Sequence, residues 1–158
     1  MASGLWAWHD LGLLWGAGFA LPAAVIDLRE RRLPDRLTLP GALGTLVLLG
    51  AAGALGDRSG SAVRALIAAG VLGIAFWAVA LVAPMGLGDA KLALTLGAAL
   101  GWYGWGAVLV GVFVGFLLAG VAGLLLVAAG RARLGDPIPF GPFLVAGTAL
   151  AVALASSH

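Results

Sequence analysis

The sequence contains no cysteine. Disulfides, thiolate metal sites and a thiol nucleophile are therefore excluded. Charge is scarce: charged residues make up 10% of the 158, where soluble domains carry about 25%. Histidine occurs only at positions 9 and 158, where both read as ordinary interfacial or tail residues. Ser59 and Ser61 have no obvious base beside them, and no phosphate-loop pattern is present. Internal repeats, heptads and a low-complexity tail are also missing. No basic leader precedes the first strong apolar run, which follows His9 and Asp10, so that run reads as a retained span and not a signal peptide.

What the chain has is apolar surface. Hydrophobic residues reach 62%, which places it as a single-domain, all-α integral membrane protein. A membrane helix needs about 20 apolar residues. Residues 65–88 and 92–130 carry no charge. The second run would be about 58 Å long as one helix, against a hydrocarbon core of about 30 Å. It must fold back, and Gly101-Trp102-Tyr103-Gly104-Trp105 is the natural place. Six spans result, at about 5–26, 37–56, 63–83, 90–101, 105–129 and 141–156. Trp6 and Trp8 suit an interfacial belt. Asp27 closes the first span, Pro34 turns the chain at Leu33, and Pro84 ends the third.

With six spans, seven of the nine basic residues fall on one side: Arg29, Arg31, Arg32, Arg36, Lys91, Arg131 and Arg133. Arg58 and Arg64 fall on the other. The positive-inside rule puts the first set in the cytoplasm and both termini outside. Small residues four apart, Gly12/Gly16, Gly97/Gly101 and Gly111/Gly115, allow close helix packing. With 26 glycines in the chain, such pairs also arise by chance.

The acids sort with the topology. Asp10 and Asp57 fall on the outer side. Asp27 ends the first span and Asp89 begins the fourth, so both lie near the inner face. A charge set between long apolar runs costs roughly 2.5–3.5 kcal/mol on insertion scales and marks a functional candidate. Gly86 and Gly88, just before Asp89, allow backbone conformations closed to other residues and close approach by another chain. Two neighbouring carboxyls in a partly dehydrated site cannot both ionise easily. They share a proton, so one can take a proton from water while the other polarises a peptide carbonyl. Asp27 with Arg31 also suits a plain helix-end ion pair.

These residues resemble the type IV prepilin leader peptidases, membrane aspartic proteases of the Gly-x-Gly-Asp class. The stretch from Ile26-Asp27-Leu28 to Leu39-Pro40 is similar to the family's first acidic motif. Gly86-Leu87-Gly88-Asp89-Ala90-Lys91-Leu92 is similar to the second, and Ile138-Pro139-Phe140-Gly141-Pro142-Phe143-Leu144 to a third signature. Their order and spacing agree, over nearly the whole chain.

The resemblance implies catalytic roles for Asp27 and Asp89. It implies supporting roles for Gly86, Gly88, Lys91, Asp35, Pro139, Phe140, Gly141 and Pro142. Lys91 is expected to anchor the loop or tune Asp89, against the plainer reading of a snorkelling lysine. The 138–142 segment lines or braces the site, or is simply a proline-capped helix start. The implied substrate is the short basic leader of a prepilin or pseudopilin, which precedes an apolar helix that stays in the membrane and is cut off at the cytoplasmic face of the inner membrane. Glu30, Asp35 and Asp136 could attract such a leader. Partners are thus leader peptides and the bilayer, with no nucleic acid, metal or cofactor; self-association is left open. Many members carry an extra cysteine-paired segment before the first motif and methylate the new N-terminus. With 26 residues before Asp27, this chain looks like the short, peptidase-only form, and the resemblance does not extend to methyl transfer. Two other readings use the same acids: a proton relay in a small transporter component, or an inactive partner in secretion-system assembly. The presenilin-like branch fits less well, because its Pro-Ala-Leu signature is absent.

Overall fold

The apolar runs form six helices in the computed structural model, which describes residues 8–56 and 58–158. They are α1 Trp8–Glu30, α2 Asp35–Leu55, α3 Ser59–Val82, α4 Leu87–Tyr103, α5 Trp105–Ala128 and α6 Gly141–Ser156. Four of them, α1, α2, α3 and α5, are long and apolar enough to cross a membrane. Helices α4 and α6 are shorter, at 17 and 16 residues. Trp6, the side chain of Trp8, and Asp57 lie outside what the structure describes, so their expected interfacial and outer places are not addressed.

Helix ends depart from the expected spans for physical reasons. Asp27 does not close α1, which runs one turn further to Glu30. Hydropathy marks where lipid ends, whereas a helix ends where its hydrogen bonds do. Arg31 stops it: φ is 52°, and its N–H bonds back to the Asp27 carbonyl at 2.9 Å. It is the one non-glycine residue with positive φ among those described, a conformation that costs about 1–3 kcal/mol. Helix α2 starts directly after Pro34, which is extended at ψ 131°. Helix α4 begins at Leu87, so Gly88 and Asp89 belong to its first turn and only Gly86 is the cap. At its other end Gly101 does not break the helix. The reversal falls on Gly104, whose φ of 138° suits glycine alone.

The helices form three antiparallel hairpins, and glycine sets their spacing. On α4, a Cβ at Gly97 would lie 2.9 Å from the Ala68 carbonyl oxygen and the Ala69 Cα of α3. One at Gly101 would lie 2.8 Å from the Ala65 Cα. Rising numbers on α4 meet falling numbers on α3, so the pair is antiparallel. Gly115 meets Leu144 in the α5–α6 hairpin, and Gly12 and Gly16 meet Leu49 and Thr45 in the α1–α2 hairpin. All three glycine pairs singled out in the sequence therefore sit at helix contacts.

Helix α4 is the centre, since it packs against all five others. Eleven of its 17 residues are buried, Asp89 included. Helix α5 is its opposite: Leu109, Phe113, Leu117, Leu124 and Leu125 are all exposed, as expected of a surface that meets lipid. A short helix can sit at the middle of such a bundle because protein, not lipid, surrounds it. At its C-terminal end Arg64 of α3 donates Nε to the Gly101 carbonyl at 2.8 Å and Nη2 to that of Trp102 at 3.1 Å. A cation there satisfies carbonyls that the helix leaves unpaired.

Gly97→Ala should lower the stability of the detergent-solubilised protein by about 1–3 kcal/mol, because its Cβ meets backbone that cannot swing away. Gly120→Ala, whose Cβ would meet nothing within 4 Å, should leave the thermal midpoint unchanged or raise it. Thermal unfolding of the two variants checks both.

Candidate functional site

Three connections converge where α1 ends and α4 and α6 begin. They surround a cavity of about 280 Å³, lined by Asp27, Asp89, residues of the 31–33 and 84–88 turns, and 137–139. The three motif segments of the sequence thus meet at one end of the bundle.

Asp27 sits on the buried face of α1, with Ala20, Ala23 and Ala24 at the preceding helical positions. It is 5% exposed. Its Oδ2 accepts the backbone N–H of Gly141 at 3.2 Å. That N–H is among the first of α6, where helix donors lack internal partners and the helix dipole favours negative charge. Gly141 is needed for the approach: a Cβ there would lie 2.9 Å from the same Oδ2 and 3.4 Å from Leu92. The next residue, Pro142, has no N–H to leave unsatisfied. Phe140 fixes the start of α6, with its ring 4.7 Å from Phe116 and 5.8 Å from Phe76 between centroids. The 138–142 segment is therefore both readings at once, a proline-containing helix start and a wall of the site.

Asp89 is 6% exposed and lies in the first turn of α4. Its Oδ1 is buried and has no hydrogen-bond partner among the described residues. An orphaned buried acceptor costs about 1–3 kcal/mol unless water or a ligand meets it, so this oxygen is set to take a partner from the cavity. Two buried acids lining one small cavity are mutually coupled, and their protonation belongs to the pair.

The surrounding motif residues act by contact. Gly86 and Gly88 do not adopt unusual backbone conformations: Gly86 has φ −71° and ψ 141°, and Gly88 is helical. This corrects the conformational part of the expectation. Gly88 is required by approach, since its Cβ would stand 2.5 Å from that of Leu33. Lys91 pairs with Asp35, Nζ to Oδ1 at 2.5 Å, so it ties α4 to the start of α2. Among the acids expected to attract a basic leader, Asp35 is held by Lys91, and Asp136 accepts the Arg133 N–H at 2.7 Å. Arg31 and Arg32 line the cavity instead. Leu33 and the Phe76–Phe116–Phe140 cluster were not singled out in the sequence. Leu33 carries a signal, as the extended residue before a proline inside the first motif; the ring cluster carries none.

The bundle and its shared acidic cavity define a class: an all-helical protein with a lipid-type exterior and two buried carboxyls at one end. The chain belongs to the type IV leader peptidase family, whose sequence model matches residues 14–128. That stretch includes both acids and stops before α6. A prepilin leader peptidase/N-methyltransferase of Xanthomonas campestris pv. campestris is 36% identical over 145 residues, 87% of this chain and 47% of that protein. The protein of the same name from Stutzerimonas stutzeri is 33% identical over 156 residues, 91% of this chain and 52% of its own. Another, from Pseudomonas aeruginosa, is 34% identical over 156 residues, with 91% and 51% covered. The chain spans about half the length of the curated relatives it matches. No solved structure matches it.

The cysteine-free background allows a direct check of the cavity. A chain with Asp27→Cys and Asp89→Cys should be bridged internally by a short bis-maleimide in membranes. One with Asp27→Cys and Ser61→Cys, at opposite ends of the bundle, should not. Mass spectrometry of the joined peptides reads the result.

Proposed function

We propose that this chain is an aspartic endopeptidase of the bacterial inner membrane that removes the short basic leader from type IV prepilins or pseudopilins. The observation that carries the reading is the pair of buried acids, Asp27 and Asp89, facing one cavity of about 280 Å³. Asp27 and Asp89 are the catalytic residues. The family and the relatives' names support the substrate class. The basic residues clustered in the 28–36, 84–91 and 130–137 connections support a cytoplasmic position for this end, with both termini outside and with α4 and α6 also crossing, six spans in all.

The acids work as a pair sharing one proton. The ionised carboxylate takes a proton from water as the water oxygen attacks the carbonyl carbon of the scissile amide. The protonated acid gives its proton to the carbonyl oxygen, which leaves a neutral tetrahedral gem-diol. The carboxylate then reclaims a hydroxyl proton, the protonated partner donates to the amide nitrogen, and the C–N bond breaks. Leader carboxyl and mature amine leave, and the pair again holds one proton. Gly141 orients Asp27 through its N–H, Gly88 lets the 31–33 turn close over α4, and the Lys91–Asp35 pair fastens that turn. Pro137, Ile138 and Pro139 form the remaining wall, and Phe140 holds the start of α6 behind it.

A transporter's proton relay would need titratable groups leading away from the pair. Beyond the two acids, the buried polar side chains among the described residues are Thr38, Thr45, Thr95 and Thr148. That composition favours chemistry at one end of the bundle over conduction through it.

Co-expression with a prepilin tests the reading. The parent chain should remove the leader. Asp27→Asn and Asp89→Asn should each abolish removal, while Asp35→Asn should retain it at a reduced rate. Cleavage persisting in either of the first two variants refutes the paired mechanism. Gly141→Ala should slow cleavage about tenfold to a hundredfold by pushing the Asp27 carboxyl out of line, with protein levels on immunoblot unchanged.

A further inference from the structure

The outer surface between α3 and α4 is not filled. A groove of about 350 Å³ opens there. Its walls repeat at helical spacing: Gly70, Gly73 and Trp77 on α3, and Leu87, Lys91 and Leu94 on α4. Positions three or four and seven apart share one helix face, so the two walls form a straight trough about 10 Å long, two helical turns. Gly70 is bare without any need from the chain's own packing, since a Cβ there would meet nothing within 4 Å. The charge of Lys91 is balanced by Asp35, which leaves the trough without a net cation.

One end of the trough joins the site. Leu87 lines both the groove and the carboxyl cavity, and it lies two residues from Asp89. Gly86, beside it on the cavity wall, is open: the nearest atom to its Cβ would be the Gly88 nitrogen at 3.9 Å. A second apolar groove of about 300 Å³ lies between α1, α4 and α6, and it shares no lining residue with the cavity.

We infer that the α3–α4 groove receives the apolar helix that follows the cut bond of the substrate, and that the chain just before that helix crosses Gly86 in extended form to reach the acids. This rests on the peptidase reading and adds the surface that selects the substrate. The occupant follows from position. A helix lying in the trough ends at the depth of Asp89, where its preceding amide enters the cavity. A lipid chain or a second copy of the protein has no reason to meet that end, and neither needs the opening at Gly86.

Two measurements test it. The first compares a membrane-embedded prepilin with a soluble peptide that carries the leader and cut site but no apolar helix. Gly70→Leu puts a side chain into the trough from a position where a Cβ meets nothing within 4 Å. It should slow cleavage of the membrane substrate about tenfold or more and change peptide cleavage by no more than about twofold. Gly120→Leu, at an open position on α5, should change neither. Equal cleavage of the prepilin by Gly70→Leu and the parent overturns the inference and leaves the peptidase reading intact. The second measurement does not depend on activity. A single cysteine from Ile74→Cys, exposed in the groove, should form a disulfide with a prepilin carrying one cysteine in the first turns of its helix. Ala149→Cys, in the other groove, should not. Capture by Ala149→Cys in place of Ile74→Cys, or joining of two enzyme copies through Ile74→Cys with the prepilin left out, overturns it. Capture through Ile74→Cys, together with a parent chain that cuts neither substrate, would sink the peptidase reading while the docking surface stands.

Discussion

The hydrogen bond from the Gly141 N–H to Oδ2 of Asp27 joins the last helix to the first across 114 positions of sequence. It also states the problem the fold has to solve. A carboxyl in an apolar bundle loses its water and must be given a donor, or it stays neutral or goes unburied. The donor here is a helix N-terminus, which has N–H groups to spare. Reaching it demands that residue 141 lack a side chain, that the following residue not need its own N–H, and that the α6 start be held still. Gly141, Pro142 and the buried Phe140 ring meet those three demands in adjacent positions.

The second acid is treated differently, and the contrast defines the site. Asp89 has the N-terminal turn of its own helix behind it and a buried oxygen with no hydrogen-bond partner among the described residues. One acid is held by the protein, and the other is left to whatever enters the cavity. Holding both equally would give a rigid pair with no capacity to bind. The position of α4 makes the arrangement steady: it touches every other helix, and Arg64 grips its far end through the Gly101 and Trp102 carbonyls. Its near end presents Asp89 with little freedom to drift from Asp27.

Much of this was legible from residues alone, and the reasons for the rest are specific. Helices could be placed because apolar runs are interrupted by proline, glycine and charge. Their ends could not, because Asp27 and Gly101 look like stops by hydropathy while the backbone carries on through both. The acids could be paired by depth, because alternating spans put helix ends 27 and 89 at one level. The partner of Asp27 could not be read, since a backbone donor leaves no chemical trace in the sequence beyond a glycine that resembles 25 others. Gly88 could be read as a site of close approach, but not what approaches it; that needed Leu33, brought in by the turn at Pro34. The Lys91–Asp35 contact had no local pattern at all, though each residue was flagged on its own.

The glycines then divide by what their missing Cβ would strike. Gly88, Gly97, Gly101, Gly115 and Gly141 would strike the protein itself, so selection for the fold explains them. Gly70 and Gly86 have room for a Cβ, as do Gly18, Gly50, Gly60, Gly106 and Gly120; what sets these two apart is that both lie on surfaces that lead to the acids, one in the groove and one on the cavity wall. Openness alone argues nothing, because glycine is common in membrane helices; it is the place of Gly70 that matters. On the docking proposal, a bare residue in a trough that ends at the depth of Asp89 leaves room for a substrate helix whose preceding amide then enters the cavity.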